Sequence, residues 1–581
     1  MLFRHLKEII KKYKFQYILG ILFIIICDAL QLYTPGILGR LTFDIENNSL
    51  TQDKIYYYMF MVMILAIGVA VFRYLWRKLV VTTSRRLEYD LRKNFFSHLE
   101  KLSTNFFHHN TTGSLMAHAT NDINSVRMSF GIGIVMIVDS IFLTIFTVYK
   151  MVKYTDVKLT LLALIPMPFI ALTTFILGGV IQKRFKNVQE AFEHLTTKVQ
   201  EAFSGIRVIK AFTQEKNENA SFDKANDANL KSNMKLVRIF GIMFPLIMFI
   251  STLSLIVAIS LGGIMVINND MEIGKYVEFM LYLGLLTWPI LAIGWVVNVL
   301  QRGIASLKRI NVIMDEVPEI VDHPDAVYVE DLKPSIEINQ LNFTYPNTDI
   351  VVLNDINVKV DAGKTLAIIG RTGSGKTTFA NLILRLYDTS DDSIKIGGHS
   401  INHLTLKQLR ETIGYVPQDN FLFSTKIKEN ISFSNPTMSQ EEIEVAAKVA
   451  HVHEEIMSFP EGYDTMLGEK GINLSGGQKQ RISIARAIAK NPDIIIFDDS
   501  LSAVDTKTED SILKYLRNEI SDKTVIIIAH RISTIKDADE IIVIDETNIV
   551  ERGSHDELVA RDGLYNDIYK KQLLEDKVNR D

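Results

Sequence analysis

Residues 364–387 read KTLAIIGRTGSGKTTFANLILRLY. The opening KTLAIIG has the length and apolar density of a buried strand, and the closing TTFANLILRLY carries a helical period. Between them, Gly370, Gly375, Lys376 and Thr377 fit the pattern G-x-x-x-x-G-K-[ST]. Its glycines let the backbone N–H groups from Arg371 through Gly373 and Ser374 wrap a row of phosphates. Lys376 reaches the outer phosphates, the Thr377 hydroxyl ligates Mg²⁺, and the helix entering at Thr378 presents its positive end to the same charges. The position between strand and helix makes a chance match improbable. From about residue 335 onward strands alternate with helices, which is the pattern of an α/β nucleotide domain.

A second apolar strand, PDIIIFDD, occupies 492–499. Its Asp498 suits Mg²⁺, directly or through water. Between the two strands lies GINLSGGQKQRISIARA, 471–487, where Ser475, Gly476 and Gly477 can open another phosphate-binding helix. One nucleotide does not need two such cradles. The economical reading is that the second serves a nucleotide held by another subunit.

The length of 581 residues implies more than one domain. A net charge of −4 lacks the basic footprint of a nucleic-acid binder. The single cysteine, Cys27, excludes an intrachain disulfide and a Cys-based metal site. The first half holds six segments long and apolar enough to cross a bilayer, near 16–37, 56–80, 129–151, 158–182, 238–268 and 276–300. Two long polar stretches, 81–128 and 183–237, separate the second span from the third and the fourth from the fifth. Their Lys and Arg residues place both stretches and both termini in the cytoplasm. They keep a helical period, so the spans are expected to run on beyond the bilayer, with breaks at Gly113 and Gly205. The first residues, MLFRHLKEIIKKYKF, have no small-residue cleavage site and read as a separate in-plane helix at the membrane surface. His108 and His109 are adjacent and have no evident third ligand, so no metal is assigned. Asp28, Asp139 and Glu278 lie in or near spans, either as anchors or proton relays for a cationic substrate or as interhelical hydrogen bonds. Pro289 is expected to kink the last span, where Trp288 and Trp295 serve packing or substrate stacking. Domain boundaries are expected at 1–310, a linker at 311–334, and 335–575.

Taken together, the chain resembles an ATP-binding cassette (ABC) exporter half-transporter. GRTGSGKTT matches the Walker A loop, IIIFDD the Walker B strand, and LSGGQ at 474–478, ending in Gln478, the family signature. The resemblance implies further roles. Gln418 in YVPQDNFLF is the Q-loop glutamine that senses Mg²⁺, and His530 in IIIAHR is the switch histidine on the γ-phosphate. Tyr345 in LNFTYPN stacks on adenine. Asp505 in SLSAVD belongs to the D-loop, and GEKG at 468–471 to the X-loop. The implied fold is a six-helix membrane domain with long cytoplasmic extensions, joined to an α/β P-loop ATPase that binds ATP and Mg²⁺. Coupling helices are implied near 106–122 and 205–216.

Most of the family carries a glutamate after the Walker B aspartate. Here Asp499 stands there, one methylene shorter, which draws the carboxylate back by about 1.5 Å. A base has to come within about 2.6–3.2 Å of its proton. The chain's own site is therefore expected to hold ATP and hydrolyse it slowly, while its intact signature serves a partner bearing the glutamate. This is similar to bacterial heterodimeric multidrug exporters in the plasma membrane, moving small hydrophobic or cationic substrates from the bilayer. A homodimer, a lipid flippase or a peptide exporter shares every motif. An importer is disfavoured because its spans and cassette usually lie on separate chains, and a non-transporting ATP-binding regulator by the six fused spans.

Overall fold

The computed structural model describes every residue except 1–2, 391, 469–470, 472, 502–505, 519–521 and 579–581. It divides into two compact units: residues 1–100 with 112–316, and residues 101–111 with 317–581.

The first unit is helical. Its helices are α1 (Arg4–Gln31), α2 (Thr34–Glu46) and α3 (Gln52–Leu99), then, beyond the short α4 (Thr104–His109), α5 (Thr112–Ala117), α6 (Ile123–Met128) and α7 (Ile134–Tyr154). There follow α8 (Val157–Leu164), α9 (Met167–Ser204), the short α10 (Ile206–Ala211), α11 (Glu215–Ile267) and α12 (Ile273–Met314). Together they make six helical runs long and apolar enough to cross a membrane. Two π-helical turns, His118–Asp122 and Ser129–Gly133, join α5, α6 and α7.

Several expectations are corrected. No separate surface helix precedes the first span, because α1 runs unbroken from Arg4. No glycine or proline interrupts residues 4–19, and Leu6, Ile9 and Tyr13 form one buried helical face. Lys12 and Tyr13 both donate to Asp90 on α3, at 2.7 and 3.0 Å. The first span instead breaks at Leu32–Tyr33, where Pro35 suits the first turn of α2. The fourth breaks at Ile165–Pro166, again ahead of a proline-bearing first turn. Gly113 lies inside α5. The break at 110–111 falls inside the stretch 108–123 in which one is expected, and a further break at 100–103 precedes α4. The second falls at Gly205 as expected, and the chain turns again at Thr213, whose φ is +53°.

One ion cluster ties the cytoplasmic extension of the third span to α12. Asp122 is buried and accepts hydrogen bonds from Ser306 at 2.8 Å, His118 at 2.7 Å and the Arg309 guanidinium at 3.0 Å. Burial opposes its ionisation, but the donors from Arg309, His118 and Ser306 outweigh that and hold the carboxyl at about 2. A folded-state value below the usual 3.8 means that the contribution is complete above about pH 4. It is lost as pH falls through 2. Asp122→Asn is expected to lower stability by about 2 kcal/mol at neutral pH. In thermal unfolding the two proteins should converge as the pH approaches 2.

The second unit is α/β. Its strands are β1 (Ile336–Thr344), β2 (Val351–Val360), β3 (Thr365–Gly370), β4 (Ile394–Ile396), β5 (His399–Ser400) and β6 (Ile413–Val416), followed by β7 (Ile494–Asp498), β8 (Thr524–Ile528), β9 (Glu540–Asp545) and β10 (Asn548–Gly553). One sheet has the order β2-β1-β4-β5, the other β10-β9-β3-β8-β7-β6. In the second, β9, β3, β8, β7 and β6 pair in parallel. Strands β7 and β8 are buried at every position, which explains their unbroken apolar runs. Parallel order brings the carboxyl ends of β3, β6, β7 and β8 to one edge, where ligands of open α/β sheets bind.

Candidate functional site

The glycine-rich loop 370–378 leaves the end of β3. A Cβ at Gly370 would stand 1.9 Å from the Ile544 carbonyl oxygen on neighbouring β9, so only glycine passes there. Gly373 and Gly375 turn the loop with φ of +85° and +92°, a region that favours glycine. Helix α13 (Lys376–Ile383) then begins, with Gly375 at its N-cap. The Lys376 ammonium is buried and donates to the carbonyls of Gly370 at 2.9 Å and Arg371 at 2.8 Å, so it lies inside the loop it belongs to. Burial pushes that ammonium down, and the charges of Asp499 and Asp498 oppose the shift. Among the described residues, Ser374 Oγ is buried without a hydrogen-bond partner, and its hydroxyl suits a phosphate oxygen. Thr372 is exposed, and Arg371 is 3.8 Å from Asp545.

Strand β7 delivers both aspartates. Asp498 is 1% exposed. Its Oδ1 accepts from Thr377 Oγ1 and its Oδ2 from Tyr415 Oη, each at 3.2 Å. Burial pushes the Asp498 carboxyl up, opposed by those two hydrogen bonds. Thr377 and Asp498 therefore face one point from two elements. This fits Mg²⁺, which binds through one or two carboxylate or hydroxyl ligands plus substrate phosphates and keeps waters besides. Asp499 turns the chain with φ of +45°, its N–H donating to Ile528 at 2.8 Å on β8. Its Oδ2 lies 3.5 Å from Gln418 Nε2 and 4.0 Å from His530 Nε2. The structure thus gathers Lys376, Thr377, Asp498, Asp499, Gln418 and His530 at one sheet edge.

Tyr345 sits to the side of the loop. Its hydroxyl is 2.7 Å from Thr378 Oγ1, and its ring meets Phe343 and Tyr387 edge-on at 5.1 and 5.2 Å. The half-buried ring is held rigidly, as a base-stacking platform needs to be. Ser475 caps the helix Gly476–Ala489 in a capping box: its Oγ accepts from Gln478 N at 3.3 Å, and Gln478 Oε1 accepts from Ser475 N at 2.9 Å. Ser475 and Gly476 are exposed, with open space at Gly476, and Gly477 is half-buried. Among the described residues, no hydrogen bond or ion pair joins 475–478 to the loop 370–378. Asp505, Glu469 and Lys470 lie outside the described residues.

Sequence reasoning passed over Tyr415. On β6 it stands beside Ile496 of β7, three residues before Gln418. A signal existed: a phenol one strand over from an acidic strand end needs a hydrogen-bond partner when buried.

The region 17–290 matches the family model of the ABC transporter transmembrane region, and 353–502 the family model described as ABC transporter. The chain is 38% identical over 566 residues to the probable multidrug resistance ABC transporter ATP-binding/permease protein YheI of Bacillus subtilis, covering 97% of this chain and 96% of that one. It is 37% identical over 497 residues to the ATP-dependent lipid A-core flippase of Syntrophus aciditrophicus, covering 86% and 82%. Among solved structures, a bacterial Atm1-family ABC exporter with ATP bound superposes with a TM-score of 0.80 at 27% identity, covering 97% of this chain and 99% of that one.

Proposed function

The chain belongs to the ABC transporter family, as a multi-pass plasma-membrane ATPase whose cytoplasmic domain couples ATP hydrolysis to transport, and from that premise we propose that it is one half of a dimeric exporter of drugs or lipophilic compounds. In this reading it pairs with a different half-transporter, keeps a slow ATP site of its own and lends its signature to a faster site on the partner. The observation that carries the asymmetry is Asp499, a short carboxylate between Gln418 and His530 where the family's glutamate would stand.

Residues of the loop divide the work. The backbone N–H groups of 371–377 and the Lys376 ammonium bind the β and γ phosphates of ATP, and the Tyr345 ring stacks on the adenine. Mg²⁺, held by Thr377 and Asp498 with Gln418 nearby, would neutralise charge on the transferring phosphoryl group. Asp499 orients the attacking water, and His530 donates to the γ-phosphate. Because the reaction is mostly positioning and electrostatics, a base set back by a bond length slows the step without weakening ATP binding. The exposed cap leaves the Gly476 and Gly477 N–H groups at the helix start for a phosphate arriving on another subunit.

The two short cytoplasmic helices support a dimer. Helix α4 belongs to the nucleotide-binding unit of its own chain, with Ser103 and Asn105 donating to Glu319 at 2.6 and 3.0 Å. Helix α10 has no buried residue, and Phe203, Ile206, Val208 and Phe212 around it are all exposed. An apolar tip of this kind fits a second subunit's ATPase domain. The flippase relative favours a second reading, in which the cargo is a lipid rather than a drug.

Disulfide trapping separates a mixed pair from a homodimer. Cys27 is the only cysteine and is buried, so it is replaced by alanine. Ser374→Cys and Ser475→Cys are then introduced in the chain expressed alone, with ATP present. No cross-linked dimer is expected without the partner. Efficient cross-linking between two copies would establish a homodimer and overturn the mixed pair.

A further inference from the structure

Toward the Ile273 end of α12, residues of α2, α3, α7 and α12 line an open cavity of about 600 Å³. Helix α12 fixes its depth. Its far end, Met314, leads toward the cytoplasmic ATPase, so Ile273 lies at the outer face. Glu278 and Tyr282, which line the cavity, sit within about 14 Å of that face at 1.5 Å per residue. This is the depth of outer-leaflet headgroups and upper acyl chains.

The lining has two characters. Arg40 and Lys150 both face the cavity, and among the described residues neither forms an ion pair with a carboxylate. Lys275 is matched by Glu272 at 3.5 Å. Glu278 is wedged against α2, since a Cβ at Gly36 would stand 3.2 Å from its Oε1. With the Lys275 pair set aside, Arg40 and Lys150 outweigh Glu278 by one positive charge. The Lys150 ammonium is also fixed in place, 4.8 Å from the ring centre of Tyr33 and 4.6 Å from that of Tyr154. The α2–α3 wall is apolar, formed by Ile37, Phe43, Met61 and Leu65. A lysine near a span end ordinarily snorkels to water. Here the charge is clamped between two rings, over a cavity that a second cation shares and whose opposite wall suits a hydrocarbon chain.

We propose that this cavity is a binding site for an anionic phospholipid of the outer leaflet, its phosphate held between Arg40 and Lys150 and the start of its acyl chain laid along Phe43, Met61 and Leu65. The bound lipid bridges α2, α7 and α12 and steadies their outer ends. None of the residues that line it belongs to the ATP site, so the proposal stands or falls apart from the mixed-pair reading.

The test is native mass spectrometry of the full chain in detergent, titrated with phosphatidylglycerol or phosphatidylcholine. Wild type is compared with Arg40→Gln/Lys150→Gln. Binding of a fluorescent ATP analogue serves as the control for folding. Each basic group near a membrane surface is worth enough that losing two should weaken phosphatidylglycerol retention on the order of tenfold or more, with phosphatidylcholine adducts unchanged. Lys150→Met alone, which keeps a stem of similar shape, should show an intermediate loss and covers the case in which the double variant fails to fold. Equal phosphatidylglycerol retention by variant and wild type overturns the site. Displacement of the lipid by millimolar inorganic phosphate overturns the amphiphile, leaving a plain phosphate site.

Discussion

Asp499→Glu raises the ATPase activity of the chain, purified alone in lipid, on the order of a hundredfold. The added methylene moves the carboxylate forward by about 1.5 Å, and a displacement of about 1 Å is enough to change a rate by two orders of magnitude. The surroundings for the longer side chain already exist. Gln418 and His530 stand 3.5 and 4.0 Å from the present carboxylate, so neither has to be recruited from elsewhere. ATP affinity should barely change, because Lys376 and the loop amides, proposed to bind phosphate, lie on another element. A cost accompanies the gain. Asp499 has φ of +45°, a conformation that aspartate visits more readily than glutamate, so the variant should lose on the order of 1 kcal/mol of stability. Brisk wild-type turnover with little increase in the variant would show that the aspartate is not limiting, and would leave a self-sufficient homodimer.

The sequence was most legible where one physical requirement dominates. Six spans followed from hydropathy because a bilayer demands about 20 apolar residues whatever else the helix does. The tight loop after β3 followed from glycine spacing because its backbone has to turn where side chains collide: Gly370 against Ile544, and Gly373 and Gly375 in the left-handed region. Legibility failed where packing between distant segments decides. The residues before the first span look amphipathic and basic, yet the hydrogen bonds from Lys12 and Tyr13 to Asp90 hold them in line with the span. The prolines at 35 and 166 marked breaks that a hydropathy window smooths away. Gly113 suggested a break but lies in a helix, since glycine lowers helical stability by only about 1 kcal/mol and does not forbid a helix. The contact of Tyr415 with Asp498 depends on β6 lying beside β7, a strand order that no local pattern announces.

The second large effect tests the asymmetry from the other side. In a complex reconstituted with the proposed glutamate-bearing partner, Ser475→Arg in this chain should reduce ATPase and transport by two to three orders of magnitude. Asp499→Asn in the same chain should change them by less than about twofold. Ser475 caps its helix through Gln478 and leaves the first N–H groups exposed. If those groups receive the partner's γ-phosphate, an arginine there destroys the cap and fills the space at Gly476, and a preorganised donor set of this kind is worth about 10²–10³ in rate. In the mixed-pair reading Asp499 serves only the slow site, so its loss removes little from the total. The contrast between the variants is the informative quantity. A homodimer uses both residues in every site and would lose activity with either substitution, whereas an asymmetric pair depends on the signature and tolerates loss of the aspartate. Retained binding of a fluorescent ATP analogue in the Ser475→Arg complex shows that the substitution acts at the partner's site and leaves this chain's own nucleotide in place.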